Sequence, residues 1–132
     1  MVEMPQQVVN MINHPNTNKV LATISPDGYP HTIVAGSLMC TDSETIIVGE
    51  AFMYRTVQNL ERDAHAEFIV WQGRNAYSIK AVAQERKTSG PEFDRMSELL
   101  GKMNMSVAAI WVFKAKEVWD ESASKNAGDR VI

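Results

Sequence analysis

The sequence has only one cysteine, Cys40, so no disulfide can form within the chain. It also has no excess of basic charge, because 13 Lys and Arg residues face 16 Asp and Glu residues, for a formal net charge of −3. This balance argues against nucleic acid as a partner. The longest apolar run, Val107 to Phe113, has seven residues, far below the roughly 20 needed to span a membrane. The N-terminus lacks the basic start and apolar segment of a signal peptide, and we therefore expect a cytoplasmic protein.

The composition is typical of one globular domain. Hydrophobic residues make up 45% of the 132 residues, and no repeat or low-complexity linker divides the chain. We therefore expect a single domain over residues 1–132, with an N-terminal helix within residues 1–15. The polar tail, residues 119–132, is expected to be mobile or docked on a partner chain.

The spacing of apolar residues predicts three helices and six strands. Helical intervals recur within residues 4–12, 53–64 and 93–103. The predicted strands cover residues 19–25, 31–41, 45–49, 66–72, 76–85 and 106–118. Six strands joined by short turns, with few helices, favour a mainly β fold in which an antiparallel sheet closes on itself.

Residues 66–72 and residues 107–113 of the last predicted strand are apolar on both faces. We expect a second subunit to cover the outer face, because a chain of this size has few helices with which to cover it. Trp111 and Phe113 are then predicted to lie on an apolar surface at or near a dimer seam. The alternative is that the helix within residues 90–104 covers that face alone.

Familiar catalytic and metal-binding motifs are absent. The sequence contains no Gly-x-Gly-x-x-Gly, no Gly-x-x-x-x-Gly-Lys and no Gly-x-Ser-x-Gly. His14, His31 and His65 are far apart in sequence, so no metal site is expected. Cys40 lies in an apolar strand and is interpreted as a small buried residue rather than a nucleophile. The sequence identifies no catalytic residue.

One segment, residues 48–59, has features of an anion site. A strand ends there, a glycine-containing loop follows, and Tyr54-Arg55-Thr56 begins a helix. The first turn of a helix has unpaired N–H groups and the positive end of the helix dipole, so an added Arg and Thr make it suitable for a phosphate. The alternative is that Thr56 or Tyr54 caps an ordinary helix and Arg55 is solvated. Spacing alone favours this alternative.

Several motifs, taken in order, resemble those of the pyridoxamine 5′-phosphate oxidase-like FMN-binding split barrels. Residues 21–31 are similar to the family's opening strand and turn, and Arg55-Thr56-x-x-Asn59-Leu60 is similar to its phosphate segment. Residues 89–93 are similar to the Gly-Pro-Glu-Phe helix start of its small members. Residues 118–130 are similar to the ending of several members. The resemblance covers about residues 19–130.

The resemblance implies a homodimer of six-stranded antiparallel split β-barrels, with two FMN molecules at the interface. It implies that Arg55 and Thr56 hold the FMN phosphate, with Asn59 supporting them from the next helical turn. The other implied cofactor-binding residues lie beside the ribityl chain, the flavin ring or the helix start: Val34, Ala35, Gly36, Gly49, Glu50, Ala51, Phe52, Met53 and Tyr54.

Three positions depart from the family pattern. Thr56 and Tyr54 stand where true oxidases tend to have Lys and Ser, and Ala81 stands where Gly is frequent. Pyridoxine oxidation itself is therefore not expected. Lys80 either reaches the phosphate from its strand or faces solvent.

The resemblance favours a flavin-dependent oxidoreductase that acts on a small substrate or electron acceptor at flavin N5. Three alternatives remain at this point: a non-enzymatic FMN-binding electron carrier, a deazaflavin-binding relative of the same fold, and a barrel that has lost its cofactor.

Overall fold

The computed structural model describes residues 1–132 and contains three helices and seven strands. The helices are α1 (Gln6–Asn13), α2 (Tyr54–Arg62) and α3 (Pro91–Gly101). The strands are β1 (Asn18–Ile24), β2 (Pro30–Val34), β3 (Met39–Cys40), β4 (Thr45–Gly49), β5 (His65–Gln72), β6 (Asn75–Lys87) and β7 (Ile110–Asp120). All three predicted helices are confirmed. None of them has the length and apolar character needed to cross a membrane.

The seven strands form one antiparallel sheet in the order β2-β1-β5-β6-β7-β4-β3. Strands β2 and β3 are consecutive in the chain but lie at opposite edges of this sheet. In a flat sheet the edges would be about 29 Å apart, at about 4.8 Å per strand spacing. The five Cα steps from Val34 to Met39 reach at most about 19 Å. The sheet must therefore curl, and it forms the half-barrel of the predicted split-barrel fold.

The single strand predicted over residues 31–41 is two strands, β2 and β3, so the sheet has seven strands rather than six. The break falls at residues 35–38, where the Leu38 N–H donates back to the Ala35 carbonyl at 3.1 Å. Lys19 Nζ also donates to the Leu38 carbonyl at 2.8 Å. This turn takes the chain from β2 at one edge of the sheet to β3 at the other.

The principal core fills the inside of the half-barrel and is closed by α1 and α2. Phe68 on β5 and Phe113 on β7 meet there edge to face, with ring centroids 5.1 Å apart. Phe113 is fully buried and Trp111 is 6% exposed. The prediction that these two residues lie on an exposed apolar surface at a dimer seam is therefore wrong.

A second core covers the outer face of β4 and β7. Met96 and Leu100 of α3 pack there against Ile47, Ile110 and Val112. The alternative considered above is correct for the outer face, which the chain's own helix covers, but that face carries Ile110 and Val112, whereas Trp111 and Phe113 lie on the inner side. A second subunit is not needed to bury the outer face.

The C-terminal tail docks on its own chain. Strand β7 continues to Asp120, and the tail then returns to it. The Val118 N–H donates to the Ile132 carbonyl at 2.8 Å, and the Val131 N–H donates to the Val118 carbonyl at 2.8 Å. Arg130 forms a β-bridge with Trp119. The expectation of a mobile or partner-docked tail is therefore corrected, because these backbone hydrogen bonds hold it on β7.

Candidate functional site

The first turn of α2 carries hydrogen-bond donors that have no partner. The preceding residue, Met53, makes no side-chain cap bond, and the first helical N–H with a partner is that of Val57, which donates to the Met53 carbonyl at 2.8 Å. The N–H groups of Tyr54, Arg55 and Thr56 are therefore free, as at any uncapped helix start. The Thr56 hydroxyl is also buried without a hydrogen-bond partner. Neither Thr56 nor Tyr54 caps the helix, so the capping part of that alternative is wrong, whereas its expectation of an exposed Arg55 is confirmed.

Positive charge dominates this first turn. It contains no acidic residue, and the Arg55 side chain is exposed and in no ion pair. The positive end of the helix dipole adds to the charge of the guanidinium. Free N–H groups, an unpaired hydroxyl and a cation together form a set of donors suited to a phosphate.

Asn59 fixes α2 to the sheet. It is 3% exposed, and its Nδ2 atom donates to Thr23 Oγ1 on β1 at 3.0 Å. One turn later Arg62 donates to the Ile24 carbonyl, which adds a second attachment to the same strand. Asn59 therefore supports the position of the helix through β1, and its amide nitrogen is already committed to the protein.

The Glu50 carboxylate anchors the loop before α2. It accepts hydrogen bonds from Arg86 Nε and Nη2 on β6 and from Trp111 Nε1 on β7, each at 2.8 Å. The hydrogen bond from Arg86, helped by that from Trp111 and opposed by burial, lowers the pKa of Glu50. Both carboxylate oxygens are occupied, so Glu50 positions the loop from within the protein. Arg86 is not identifiable from the sequence, because its strand position carries no local signal of this pairing.

The loop before α2 contacts the turn at residues 35–38. The Gly49 N–H donates to Ser37 Oγ at 2.9 Å and so joins the two segments. A Cβ atom on Gly49 would lie 2.9 Å from Met96 Cγ, and this close approach of α3 requires glycine. Val34 and Gly36 are exposed, whereas Ala35 is buried.

A cavity of about 650 Å³ lies beside the loop and the first turns of α2. It is predominantly apolar, and its lining is Glu50, Ala51, Phe52, Met53, Tyr54, Val57, Gln58, Asn104, Ser106, Val107 and Ala108. We call it the loop cavity. Residues 104–108, which follow α3, form the far wall of this cavity. The sequence motifs did not identify these residues as part of the site.

Backbone strain is concentrated at the loop cavity. Phe52 and Asn104 are the two non-glycine residues with positive φ, both at 57°, and both line it. Such conformations cost energy and are frequent at ligand sites. The Phe52 and Tyr54 side chains are 75% and 77% exposed, so two aromatic rings stand at the cavity's edge.

Lys80 lies elsewhere, on the outer face of the sheet. It lines a second cavity and pairs with Glu117, with Nζ 3.5 Å from Oε2. Cys40 is buried as predicted, and burial raises the pKa of its thiol to about 12. No group of three or more His, Cys, Asp or Glu side chains is placed to hold a metal ion.

Residues 4–128 match the sequence profile described as pyridoxamine 5′-phosphate oxidase. The chain belongs to this family. The family resemblance drawn from the short motifs is confirmed, since the match spans nearly the whole chain. No curated protein sequence matches the chain significantly.

Several solved structures share the fold of this chain. An FMN-binding protein from Syntrophomonas wolfei has a TM-score of 0.82 at 19% identity, covering 91% of this chain and 87% of its own. Group A Streptococcus HupZ has a TM-score of 0.78 at 21% identity, covering 97% of this chain and 100% of its own. An F420 reductase has a TM-score of 0.64 at 14% identity, and the match covers 83% of this chain and 93% of the reductase chain. At these identities the likeness concerns the fold alone.

Proposed function

We propose that the protein binds FMN with the phosphate at the first turn of α2. The buried Thr56 hydroxyl is the observation that carries this proposal, because a buried hydroxyl without a partner is costly unless a ligand pairs with it. The free N–H groups of residues 54–56 and the unpaired Arg55 guanidinium supply the remaining donors. Family membership supports the same assignment.

The loop cavity is suited to the flavin ring. Ala51, Phe52, Met53 and Val107 give it apolar walls, and its acidic residue, Glu50, is neutralised by Arg86. Within residues 34–36 and 49–53, the N–H groups of Gly36, Phe52 and Met53 make no hydrogen bond in the protein and are free to pair with a ring edge. Bound FMN would supply transfer of a hydride or of electrons at N5.

We propose an oxidoreductase that acts on a small substrate or electron acceptor. In this reaction the chain holds the phosphate with Arg55 and Thr56 and fixes the loop with Glu50. No acidic or basic side chain of the loop cavity is free to move a proton, which is compatible with a reaction centred on the flavin itself. The predicted cytoplasmic location depends on cysteine usage and stays a prediction.

The first test is mass spectrometry of the small molecule released when the purified protein is denatured. FMN is the expected mass. Release of F420 would instead support the deazaflavin-binding alternative, and the absence of any flavin would refute the proposal. Turnover with NADH or NADPH then separates an oxidoreductase from an electron carrier.

The second test is the substitution Arg55→Gln, followed by titration of the apo-protein with FMN and with riboflavin. A charge-assisted hydrogen bond is worth about 1.5–3 kcal/mol, so FMN affinity should fall about ten- to a hundredfold. Riboflavin affinity should change little, because riboflavin has no phosphate. Arg95→Gln, an exposed unpaired arginine on α3, is the matched control. Equal weakening of both ligands would place the phosphate elsewhere.

We also propose a homodimer formed through the β1–β2 hairpin. Tyr29 is 72% exposed and Val34 is 83% exposed, and β2 is an edge strand with one unpaired side. Exposed apolar residues on a free edge favour association with a second copy. Val34→Lys should therefore lower the apparent mass in sizing experiments, whereas Thr41→Lys, at an exposed position outside the hairpin, should not. A wild-type protein that is monomeric at micromolar concentration would contradict this proposal.

A further inference from the structure

A second cavity of about 650 Å³ lies on the outer face of β1, β5, β6 and β7. We call it the sheet cavity. Its lining is Ala22, Thr23, Ile24, Pro30, His65, Ala66, Glu67, Lys80, Ala81, Val82, Lys116, Glu117 and Arg130. It shares no residue with the loop cavity, and the proposed FMN site leaves it unused.

A β-bulge directs charged side chains into the sheet cavity. Lys80 pairs with Glu117 and Ala81 pairs with Ala115, so Lys116 has no partner residue on β6. Adjacent residues of a regular strand point to opposite faces. Here Ala115 and Val118 are both buried in the principal core, so Lys116 and Glu117 between them share the outer face, which is the redirection of side chains that a bulge produces.

The charges around the sheet cavity leave one cation without a partner. Glu117 is shared by Lys80, at 3.5 Å, and by Arg130 of the docked tail, at 3.4 Å. Lys116 and Glu67 form no ion pair, and the cavity holds three cations against the two carboxylates of Glu67 and Glu117. This local balance is positive although the whole chain is negative.

Apolar surface lies next to these charges. Ala22 and Ile24 of β1 and Val82 of β6 provide a wall without charge. The cavity therefore combines a cationic side with an apolar side, as sites for amphipathic ligands do.

We propose that the sheet cavity binds a small organic anion. Its carboxylate contacts Lys116, with Lys80 and Arg130 alongside, and its hydrocarbon body lies against Ala22, Ile24 and Val82. The docked tail contributes Arg130, so the final turn of the chain is part of the site.

The test is a titration of the full-length protein with benzoate, followed by amide chemical shifts in NMR. Benzoate should produce saturable shifts at residues 66, 81 and 116, and its neutral analogue benzamide should bind more weakly. Lys116→Gln should weaken benzoate binding about three- to tenfold. This loss lies between that expected for an exposed ion pair and that expected for a buried charge-assisted hydrogen bond. Lys125→Gln, an exposed lysine of the tail outside the cavity, is the matched control and should leave binding unchanged.

Several outcomes would overturn the inference. They are the absence of saturable shifts with benzoate, equal binding of benzamide, and a site that maps to α2. FMN affinity, measured in parallel, should be unchanged in Lys116→Gln. Loss of FMN binding in that variant would assign the sheet cavity to the flavin, whereas failure of FMN to bind the wild type would leave the benzoate result to stand alone. If dimer formation prevents benzoate from entering the sheet cavity, the cavity is part of a subunit interface and the proposed ligand site is refuted.

Discussion

Thr56→Val should have opposite effects on the stability of the apo-protein and on its affinity for FMN. The substitution keeps the shape of the side chain and removes a hydroxyl that is buried and unpaired. An unsatisfied buried polar group costs about 1–3 kcal/mol, so the apo-protein should become more stable by about 1 kcal/mol or more. Helix propensity contributes little, because Val and Thr have similar values.

FMN affinity should fall in the same variant. A hydroxyl hydrogen bond contributes about 0.5–1.5 kcal/mol, which corresponds to about two- to tenfold in affinity. This loss is smaller than that expected for Arg55→Gln. Urea denaturation of the apo-protein measures the first effect, and titration with FMN and riboflavin measures the second.

The matched control is Thr23→Val. Thr23 is equally buried, at 2% against 1% for Thr56, but its hydroxyl accepts a hydrogen bond from Asn59. The control should therefore destabilise the apo-protein by about 1–3 kcal/mol, because the Asn59 amide loses its partner. If Thr56→Val destabilises the apo-protein as Thr23→Val does, the hydroxyl has a partner and the reasoning fails. Unchanged FMN affinity would remove Thr56 from the phosphate site.

Two further predictions concern the loop before α2. Glu50→Gln should destabilise the protein by about 1 kcal/mol at neutral pH, since Arg86 is 40% exposed and solvent weakens the pair. Because the pKa of Glu50 is lowered in the folded state, its contribution is complete above its ordinary value of 4.5 and is lost as the pH falls through the folded pKa. The difference between wild type and Glu50→Gln in urea denaturation should therefore shrink in acid, and a constant difference would contradict the assignment. Gly49→Ala should destabilise the protein by about 1–3 kcal/mol, because its Cβ would lie 2.9 Å from Met96; Gly36→Ala, with open space around it, is the control.

The helices and the fold class could be predicted because they depend on local spacing. The helical intervals of apolar residues identified α1, α2 and α3, and the short turns between strands favoured a closed antiparallel sheet. The break between β2 and β3 could not be predicted in this way. Residues 31–41 form a continuous strand pattern, and the break is set by distant partners, since Val34 pairs with Val20 and Met39 with Ile47.

The prediction of what covers Phe113 was wrong for a related reason. An apolar pattern on both faces shows that both faces are buried, but it does not identify what buries them. In the fold the inner face meets Phe68 and the outer face meets α3, both within one chain. The tail likewise had no local signal for its return to β7, because its hydrogen bonds are made through backbone atoms.

The candidate site combines local and distant contributions, and the local part is the one the sequence can indicate. Arg55 and Thr56 are adjacent at a helix start, so the motif predicts them together. The partners of Glu50 are 36 and 61 residues away, and only the curled sheet brings Arg86 and Trp111 to its carboxylate. Whether the Thr56 hydroxyl has a partner is also a property of the packed structure. That property decides between a phosphate site and a capped surface helix. If the Thr56 hydroxyl capped α2, the same sequence motif would give no reason to expect a bound phosphate.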